Sequence, residues 1–401
     1  MMPRFKPRIG GRELMALLGS HPGAVERFER SFAQQFGSAD AVAFPYGRSA
    51  LWAFLQAVGL REAEVVLPAY TCSVVAFAVS LSENRPRFVD IDLRDYNMDL
   101  DQLESAIGPQ TRAIVATHLF GYPLDIDRLE AIVARAQARH GQKIWVIQDC
   151  AHAFDATWNG RHVARSGDTA LFAFNVSKMM TAIFGGMLTF GDRALAQRVR
   201  AWRDARLRRP GALKGLQRRV YLLAAAAAFS EPLYGLTWWL QERTPWLNRL
   251  TRSYHLDERI ALPPDHLDRM LDIEAAVGLV QLDRYADIVA HRRANAAYFD
   301  AHLARREGWV LPPQVDGATY SHYVVRVPDR APCVAAAARQ GVHLGELIQY
   351  SVPQLGPYGS PASAHPNADL ASRSTINIPV DSACGADDRE RLVGVINSIT
   401  A

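Results

Sequence analysis

The sequence predicts an α/β fold, in which a mostly parallel central sheet is covered by helices, followed by a smaller α+β domain. Short apolar runs alternate with turns and helical patterns through the first part of the chain, which is typical of a parallel sheet. A long helical pattern and two isolated strand patterns follow Ile273. At 401 residues the chain is too long for one compact domain. We therefore expect domains at 1–260 and 261–401.

The large domain should hold its functional residues at one edge of the sheet. Its expected strands are residues 65–67, 87–91, 113–117 and 144–147. Helical patterns at 49–58 and 125–139 alternate with them, and the second is acidic at its start and basic at its end, as the helix dipole favours. Open α/β sheets bind ligands beyond the carboxyl ends of their strands, so polar residues that follow a strand are the candidates.

The second domain is predicted from three patterns. From Ile273 to about residue 303 the spacing of apolar residues predicts one long amphipathic helix. The segments "YSHYVVRVP" and "STINIPV" predict strands, with a helix between them near residues 332–339. This gives an α+β arrangement.

Charge and cysteine usage exclude several classes of protein. The formal charge is only +4, and it is concentrated in the basic stretch 202–219, so no general nucleic-acid interface is expected. The cysteines are far apart, which predicts neither a zinc site nor a disulfide framework and fits a cytoplasmic protein. The basic N terminus lacks the apolar core of a secretory signal. The cysteines are Cys72, Cys150, Cys333 and Cys384.

Residues 206–259 form an unusual insert with a basic leader and the apolar segment "VYLLAAAAAFSEPLYGLTWWLQERTPWL". Its uninterrupted apolar run ends at Phe229, and Pro232 and Gly235 are expected to break the segment, so a transmembrane helix is not favoured. One interpretation is a helical arm that packs on a partner subunit or covers the active site. The alternative is a peripheral contact with the inner face of the membrane, because aromatic and basic residues suit the headgroup region.

Lys178 is the one charged residue in the apolar run "FAFNVSKMMTAIFGGMLTF". Burial of an unpaired ammonium group is so costly that the amine tends to lose its proton. Either Lys178 extends to water from a strand end, or its position serves chemistry. Asp149 directly follows an apolar strand and requires a cationic partner or hydrogen-bond donors, unless it caps a helix.

The turn Gly47-Arg48-Ser49 precedes a helix and could bind an anion through backbone N–H groups, with Arg48 as a bidentate donor. A lysine, a carboxylate and an anion site are the three parts that pyridoxal phosphate requires. The lysine forms a Schiff base, the carboxylate keeps the pyridine nitrogen protonated, and the turn binds the phosphate.

Seven segments, in order, resemble the DegT/StrS family of sugar aminotransferases, which have the fold-type I architecture. The resemblance runs from about residue 44 to 191 and resumes at about 268. It implies a pyridoxal-phosphate-dependent aminotransferase that moves an amino group, expected from glutamate, to a nucleotide-linked keto-sugar in cell-surface polysaccharide or aminodeoxysugar biosynthesis. It also implies a homodimer with shared active sites. The segments are "GRSALWAFLQAVGL", "EVVLPAYTCSVVAFAV", "PRFVDID", "THLFGYPLDIDRL", "IQDCAHAFDATWNGRHVARSGD", "FAFNVSKMMTAIFGGMLTF" and "RMLDIEAAVGLVQLDRY".

The resemblance assigns roles to the candidate residues. Lys178 would bind the cofactor and shuttle a proton, and Asp149 would pair with the pyridine nitrogen. His152 would stand near the phenolic oxygen of the cofactor, unless it is a surface histidine of a helix. Cys72 occupies a position where an aromatic residue often stacks on the cofactor ring. His118 matches a histidine of the family, with structural and catalytic roles equally open.

Two departures from the family concern the phosphate. A serine usually stands five residues before the lysine, where this chain has Ala173. Arg48, Asn175 or Ser177 would supply the missing donor. Arg269 matches a residue that in relatives crosses a dimer interface to the phosphate or the substrate, and it would also offset the lost serine.

Alternative functions differ in the acceptor or in the chemistry. The deoxysugar dehydratases of the family replace the lysine with histidine, so Lys178 argues against that class. A lipid-linked or non-sugar carbonyl acceptor at the membrane surface is a second option, which the insert supports. A non-catalytic binding or regulatory relative is the third, because Ala173 and Cys72 depart from the family pattern. The segment "GELIQYSVPQLGPYGSP" should line the sugar site.

Overall fold

The computed structural model describes residues 1–243, 260–361, 364–381 and 383–399. Its largest sheet has seven strands in the order β1-β9-β8-β5-β4-β2-β3, and β9 alone runs in the direction opposite to the other six. The predicted α/β fold with a mostly parallel sheet is confirmed. The strands are β1 Asp40–Phe44, β2 Glu64–Pro68, β3 Arg85–Val89, β4 Thr111–Thr117, β5 Trp145–Asp149, the short hairpin β6 Thr157–Trp158 and β7 Arg161–His162, β8 Thr169–Ala173 and β9 Gly186–Phe190.

Helices cover both faces of this sheet. Alternate residues of each strand point to opposite faces, so Val65 and Leu67 pack with the helices at 47–57, 73–81 and 193–206, whereas Val66 packs with those at 100–106 and 126–140. The helices are α1 Gly11–Met15, α2 Ala24–Gln35, α3 Gly47–Ala57, α4 Ser73–Leu81, α5 Leu100–Ala106, α6 Ile126–His140, α7 Arg193–Arg206, α8 Ala212–Ala228, α9 Glu231–Arg243, α10 Asp272–Asp283, α11 Tyr285–His302, α12 Arg330–Arg339, α13 Pro366–Ser374 and α14 Ala386–Ser398.

Local signals explain where the central elements begin and end. Asp125 caps α6 by accepting the N–H of Arg128 at 2.9 Å, and Gly141 ends the helix in the left-handed region at φ 66°. The parallel pairing sets Thr117 beside Asp149 and Asp149 beside Leu171. The carboxyl ends of β4, β5 and β8 therefore meet at one edge of the sheet, where the candidate residues lie.

The C-terminal part contains a two-stranded antiparallel sheet, formed by β10 Tyr323–Arg326 and β11 Thr375–Ile378. Residues of α11, α12 and α14 share its apolar core. These elements match the predicted strands and the predicted helix between them. The boundary at residue 260 stays a prediction.

The single helix predicted from Ile273 is wrong, because two helices, α10 and α11, meet at Arg284. There the backbone leaves the α-helical region (φ −104°, ψ 5°). Glu13 binds the Arg284 guanidinium at 2.7 Å, and Tyr285 is buried with its ring 5.6 Å from that of Phe36. Apolar periodicity continues through the break, so the sequence alone concealed it.

The insert forms α8 and α9, and its residues 244–259 lie outside the described residues. Helix α8 ends at Ala228, next to the end of the apolar run at Phe229, so the segment is broken there. Pro232, in the first turn of α9, and Gly235 both lie inside that helix and do not break it. No single helix in the described part of the chain is long and apolar enough to cross a membrane. Residues 212–240 pass that test only as a pair of helices bent by 99°.

Candidate active site

Asp149 ends β5 at the edge of the sheet and is only 4% exposed. The N–H of Ala151 donates to its Oδ1 at 3.1 Å. Burial raises the pKa of the Asp149 carboxyl above its usual value, while this N–H and the nearby Lys178 oppose the rise. The Asp149 carboxylate therefore lies near enough to the predicted lysine for their charges to interact.

Lys178 lies on the loop between β8 and β9, and a tight turn holds its backbone. Its N–H donates to the carbonyl of Asn175 at 3.0 Å, and the hydroxyl of Ser177 donates to Asn175 Oδ1 at 2.7 Å. Burial lowers the pKa of the Lys178 amine, and the proximity of Cys72 and Asp149 opposes this. An amine with a lowered pKa is available as a nucleophile and a base.

Lys178 differs from the other three lysines of the chain. Lys6, Lys143 and Lys214 each bind a carboxylate at 2.7–2.9 Å. Within the described residues, Lys178 has no carboxylate oxygen within the 4.0 Å of an ion pair. The alternative of a surface lysine that extends to water is disfavoured, because Lys178 is partly buried beside Asp149.

Two histidines lie beside the lysine. His152 is buried, its Nδ1 accepts the N–H of Phe120 at 3.3 Å, and its ring centroid is 5.0 Å from that of His322. Burial, and secondarily the charge on Lys178, lowers the pKa of His152 well below its usual value. His152 is therefore not a surface histidine, and it enters the site as a neutral hydrogen-bonding group.

Sequence reasoning missed His322, which directly precedes β10 in the C-terminal part of the chain. Burial lowers its pKa, and the nearby charges of Arg292 and Lys178 lower it further. Its Nδ1 lies 2.9 Å from the hydroxyl of Ser321. A polar residue at the start of the apolar strand in "YSHYVVRVP" was the available signal, but nothing local joins it to Lys178 and His152, which lie 144 and 170 positions earlier.

The turn that starts α3 contains a buried hydroxyl and two glycines at which the backbone packs tightly. The Ser49 hydroxyl is 1% exposed and has no hydrogen-bond partner among the described residues. A Cβ on Gly47 would lie 2.9 Å from the Cβ of Ala173, and a Cβ on Gly186 would lie 2.5 Å from the Tyr46 carbonyl carbon. Strand ends thus press against the turn, and only glycine and small residues fit.

These residues fit a phosphate group. The N terminus of α3 offers backbone N–H groups and a positive dipole end. The buried hydroxyl of Ser49, which has no partner among the described residues, can donate a hydrogen bond to an anion there. The guanidinium of Arg48 lies 5.3 Å from the centre of the Tyr46 ring. No cluster of three or more potential metal ligands occurs in the described ranges.

A family model, that of the DegT/DnrJ/EryC1/StrS aminotransferases, matches residues 18–397. The protein belongs to this family. It is therefore a pyridoxal-phosphate-dependent sugar aminotransferase, as the sequence segments predicted.

Individual relatives support the assignment at low identity. The spore coat polysaccharide biosynthesis protein SpsC of Bacillus subtilis is 27% identical over 419 residues, covering 99% of this chain and 97% of SpsC. GDP-perosamine synthase of Caulobacter vibrioides is 30% identical over 292 residues, covering 73% of this chain and 65% of that enzyme. The crystal structure of the sugar aminotransferase CalS13 from Micromonospora echinospora is 25% identical with a TM-score of 0.78, covering 99% and 100% of the two chains.

Cys72 stands at the N-cap position of α4, beside Lys178 in this DegT-family site. The next residue, Ser73, donates its N–H to the Tyr350 hydroxyl at 3.0 Å, which ties α4 to the C-terminal part of the chain. A thiol is smaller than the aromatic residue expected at this position. The role of Cys72 in covering the cofactor ring stays a prediction.

His118 has a structural environment. Leu124 donates its N–H to Nδ1 at 2.9 Å, which leaves Nε2 to donate to Gln148 Oε1 at 2.9 Å. Gln148 donates to Ser166, and Ser166 donates to Glu130 at 2.6 Å. Burial lowers the pKa of His118 to about 4, so the ring is neutral. Of the two roles that the sequence left open, the structure favours the structural one.

Arg269 does not reach Lys178 within its own chain. Its guanidinium donates to the backbone carbonyls of Leu207 at 3.0 Å and Asp204 at 2.8 Å, at the end of α7. Cations are favoured at helix C termini by the dipole. The predicted role across a subunit interface stays a prediction.

Proposed function

We propose that this protein transfers an amino group from glutamate to the carbonyl of a nucleotide-linked keto-sugar, in the biosynthesis of cell-surface polysaccharide or an aminodeoxysugar. The observation that carries the proposal is the meeting of Lys178, Asp149 and the turn at Ser49 on one edge of the sheet. Relatives named for polysaccharide biosynthesis and for GDP-perosamine synthesis support the substrate class.

Pyridoxal phosphate, when bound, would supply an electron sink for the bonds at the donor carbon. Lys178 would hold its aldehyde and then, as a free amine, take the α-proton of the amino donor. In the second half of the reaction the same amine would give a proton to the sugar carbon that becomes aminated. Its lowered pKa suits a base, because the amine is uncharged more of the time.

Asp149 and His152 would hold the cofactor ring. The Asp149 carboxylate would accept a hydrogen bond from the protonated pyridine nitrogen and so keep it protonated. Burial alone makes the ionised form of this carboxyl costly. That cost falls when a cation lies against it, which is how Asp149 would favour the protonated ring. His152, neutral and packed on His322, would offer its Nε2 to the phenolic oxygen.

The phosphate would be bound by the start of α3. Ser49 would donate its hydroxyl, Gly47 would allow the close approach, and Arg48 would add a charge-assisted bond. Asn175 and Ser177 stand in the loop that carries Lys178, and we propose that they replace the family serine missing at Ala173.

Absorbance spectroscopy tests this proposal. The wild-type protein incubated with pyridoxal phosphate should develop the visible band of a lysine-bound cofactor, and Lys178→Ala should lack it. Lys143→Ala is the matched control, because Lys143 binds Asp168 at 2.7 Å and should leave the band unchanged. A colourless wild-type protein, or a band that survives in Lys178→Ala, would overturn the proposal.

The acceptor is tested by converting the bound cofactor to its amine form and adding carbonyl compounds. Nucleotide-linked keto-sugars should restore the visible band faster than the free sugars or simple α-keto acids. A lipid-linked acceptor is the second candidate, because the outer surface of the insert is apolar. Preference for a lipid-linked carbonyl over every nucleotide sugar would replace the first proposal with the second.

The exposed face of α8 supports the proposed homodimer. Leu213, Leu216, Val220 and Leu223 recur at helical spacing and are each more than half exposed. Basic residues of the leader are engaged by carboxylates, for example Lys214 with Asp268 at 2.9 Å, which leaves fewer charges for an anionic membrane. We propose that this face packs on the partner subunit, with the protein in the cytoplasm.

Sedimentation of Leu216→Glu together with Val220→Glu tests the dimer. The double variant should sediment as a monomer at concentrations where wild type is a dimer, and Leu347→Glu, at an exposed leucine elsewhere, should stay dimeric. If wild type instead co-sediments with anionic liposomes at low salt and the double variant does not, the peripheral membrane contact is correct.

A further inference from the structure

The inner face of the insert touches the residue that precedes the phosphate turn. Arg218, on α8, donates from Nη2 to the Tyr46 hydroxyl at 3.1 Å. The same hydroxyl donates to Asp265, with its oxygen 2.8 Å from Oδ1 and 3.0 Å from Oδ2. Tyr46 is the N-cap residue of α3, so its side chain is fixed one position before Gly47.

Arg218 is itself rigidly held. Its Nε donates to Glu274 Oε1 at 2.7 Å, its Nη2 also reaches Asp265 Oδ2 at 3.0 Å, and its guanidinium lies 4.4 Å from the centre of the Phe184 ring. Glu274 is 1% exposed and accepts the N–H of Leu271 through its second oxygen, which caps α10. A planar guanidinium with partners on three sides has little freedom to move.

The Tyr46 ring passes this constraint to the turn. Its edge meets the Phe184 ring, with centroids 5.8 Å apart, and the guanidinium of Arg48 lies against it. On the other side, Gly186 approaches the Tyr46 backbone so closely that no side chain fits. The position of Arg48 therefore depends on a ring that the insert and β9 hold from two sides.

We propose that Arg218 of the insert is a positioning residue for the cofactor phosphate, acting through Tyr46 on the turn Gly47-Arg48-Ser49. This inference rests on the proposed function, because it requires the cofactor phosphate at that turn. It gives α8 a role beyond the one proposed for its exposed face: the helix fixes the position of the turn that would bind the phosphate. Arg218 touches neither substrate nor the reacting atoms, so its effect should appear in cofactor affinity.

The test compares two aldehydes that differ only in the phosphate. Dissociation constants for pyridoxal phosphate and for pyridoxal are measured from the visible band in wild type, Tyr46→Phe and Arg218→Lys. In each variant the dissociation constant for pyridoxal phosphate should rise about tenfold, the effect of a lost charge-assisted hydrogen bond. Pyridoxal, which has no phosphate, should bind each variant as it binds wild type.

Arg219→Ala is the matched control on the same helix. Arg219 donates to the carbonyls of Leu17 at 2.8 Å and Gly19 at 3.0 Å, so it docks α8 without contacting Tyr46. Its preference for pyridoxal phosphate over pyridoxal should equal that of wild type. Thermal unfolding of each cofactor-free variant shows whether the fold is retained, and Tyr46→Phe keeps the ring and its packing.

The outcomes separate this inference from the proposed function. If the wild-type band forms and the binding of both aldehydes weakens by the same factor in Tyr46→Phe and Arg218→Lys, Arg218 serves only the general fold and the inference is overturned. Dissociation constants that stay at the wild-type values in both variants overturn it as well. If wild type forms no band with either aldehyde, the proposed function itself fails.

Discussion

Two sets of buried polar groups on the large sheet differ in how their hydrogen bonds are satisfied. Ser49 Oγ has no partner and Lys178 has no carboxylate within ion-pair distance, in the part of the chain that the structure describes. Around Gln148, the neighbour of Asp149, His118 bonds through both ring nitrogens, and Ser166 both accepts and donates. Because buried polar groups are nearly always paired, we propose that a bound cofactor completes the interactions of Ser49 and Lys178 and that the satisfied groups support the site.

Asp149→Asn should give the largest effect on function. The amide keeps the shape but removes the charge that would hold the pyridine nitrogen protonated, so the turnover rate should fall by about 10²–10³, the range for loss of one preorganised electrostatic group. The visible band should persist, since Lys178 is intact. Asp168→Asn is the control, because Asp168 binds Lys143 at the opposite end of β5. Equal turnover in Asp149→Asn and wild type would contradict the role of this carboxylate.

His118 should affect stability and leave the ligand site unchanged. The unfolded histidine takes up a proton near pH 6.5, but the folded one does so only near pH 4. Its contribution is complete above about pH 6.5 and falls by about 1.4 kcal/mol per pH unit between those values. Denaturant unfolding of wild type at pH 7 and pH 5 should therefore show a loss that His118→Gln reduces by about 2 kcal/mol.

The exposed His291 supplies the control for this measurement. His291→Gln should retain the wild-type pH dependence of unfolding, and His118→Gln should retain the cofactor band. A large loss of turnover in His118→Gln, with stability unchanged, would contradict the structural role and assign His118 to the active site.

Two serines, one from each set of buried polar groups, test the same comparison with smaller expected effects. Ser49→Ala removes a hydroxyl without a partner, so the cofactor-free protein should keep its free energy of unfolding within about 0.5 kcal/mol, while pyridoxal phosphate binds about tenfold more weakly. Ser166→Ala leaves Gln148 without its acceptor and should cost about 1–3 kcal/mol of stability, with cofactor affinity unchanged. The comparison fails if both serines change the same quantity.

The sequence was sufficient where the signal is local. Apolar runs located four strands of the large sheet, β2 to β5, but β1, β8 and β9 were not predicted. Asp149 and Lys178 stood out as charges directly after or within apolar runs. The break at Arg284 was missed because apolar periodicity continues through it, and because the ion pair that Arg284 makes there with Glu13 joins residues far apart in the chain. His322 and the contact between Arg218 and Tyr46 were missed for the same reason: neither partner carries a sign of the other, and only the folded chain brings them together.

The most direct test of the account is chemical trapping of the cofactor. Borohydride reduction of the wild-type protein with pyridoxal phosphate, followed by peptide mapping, should place the added mass on Lys178. Lys6, Lys143 and Lys214 should be unlabelled, since each binds a carboxylate in the structure. Labelling of one of these three in preference to Lys178, or no labelling at all, would contradict the account.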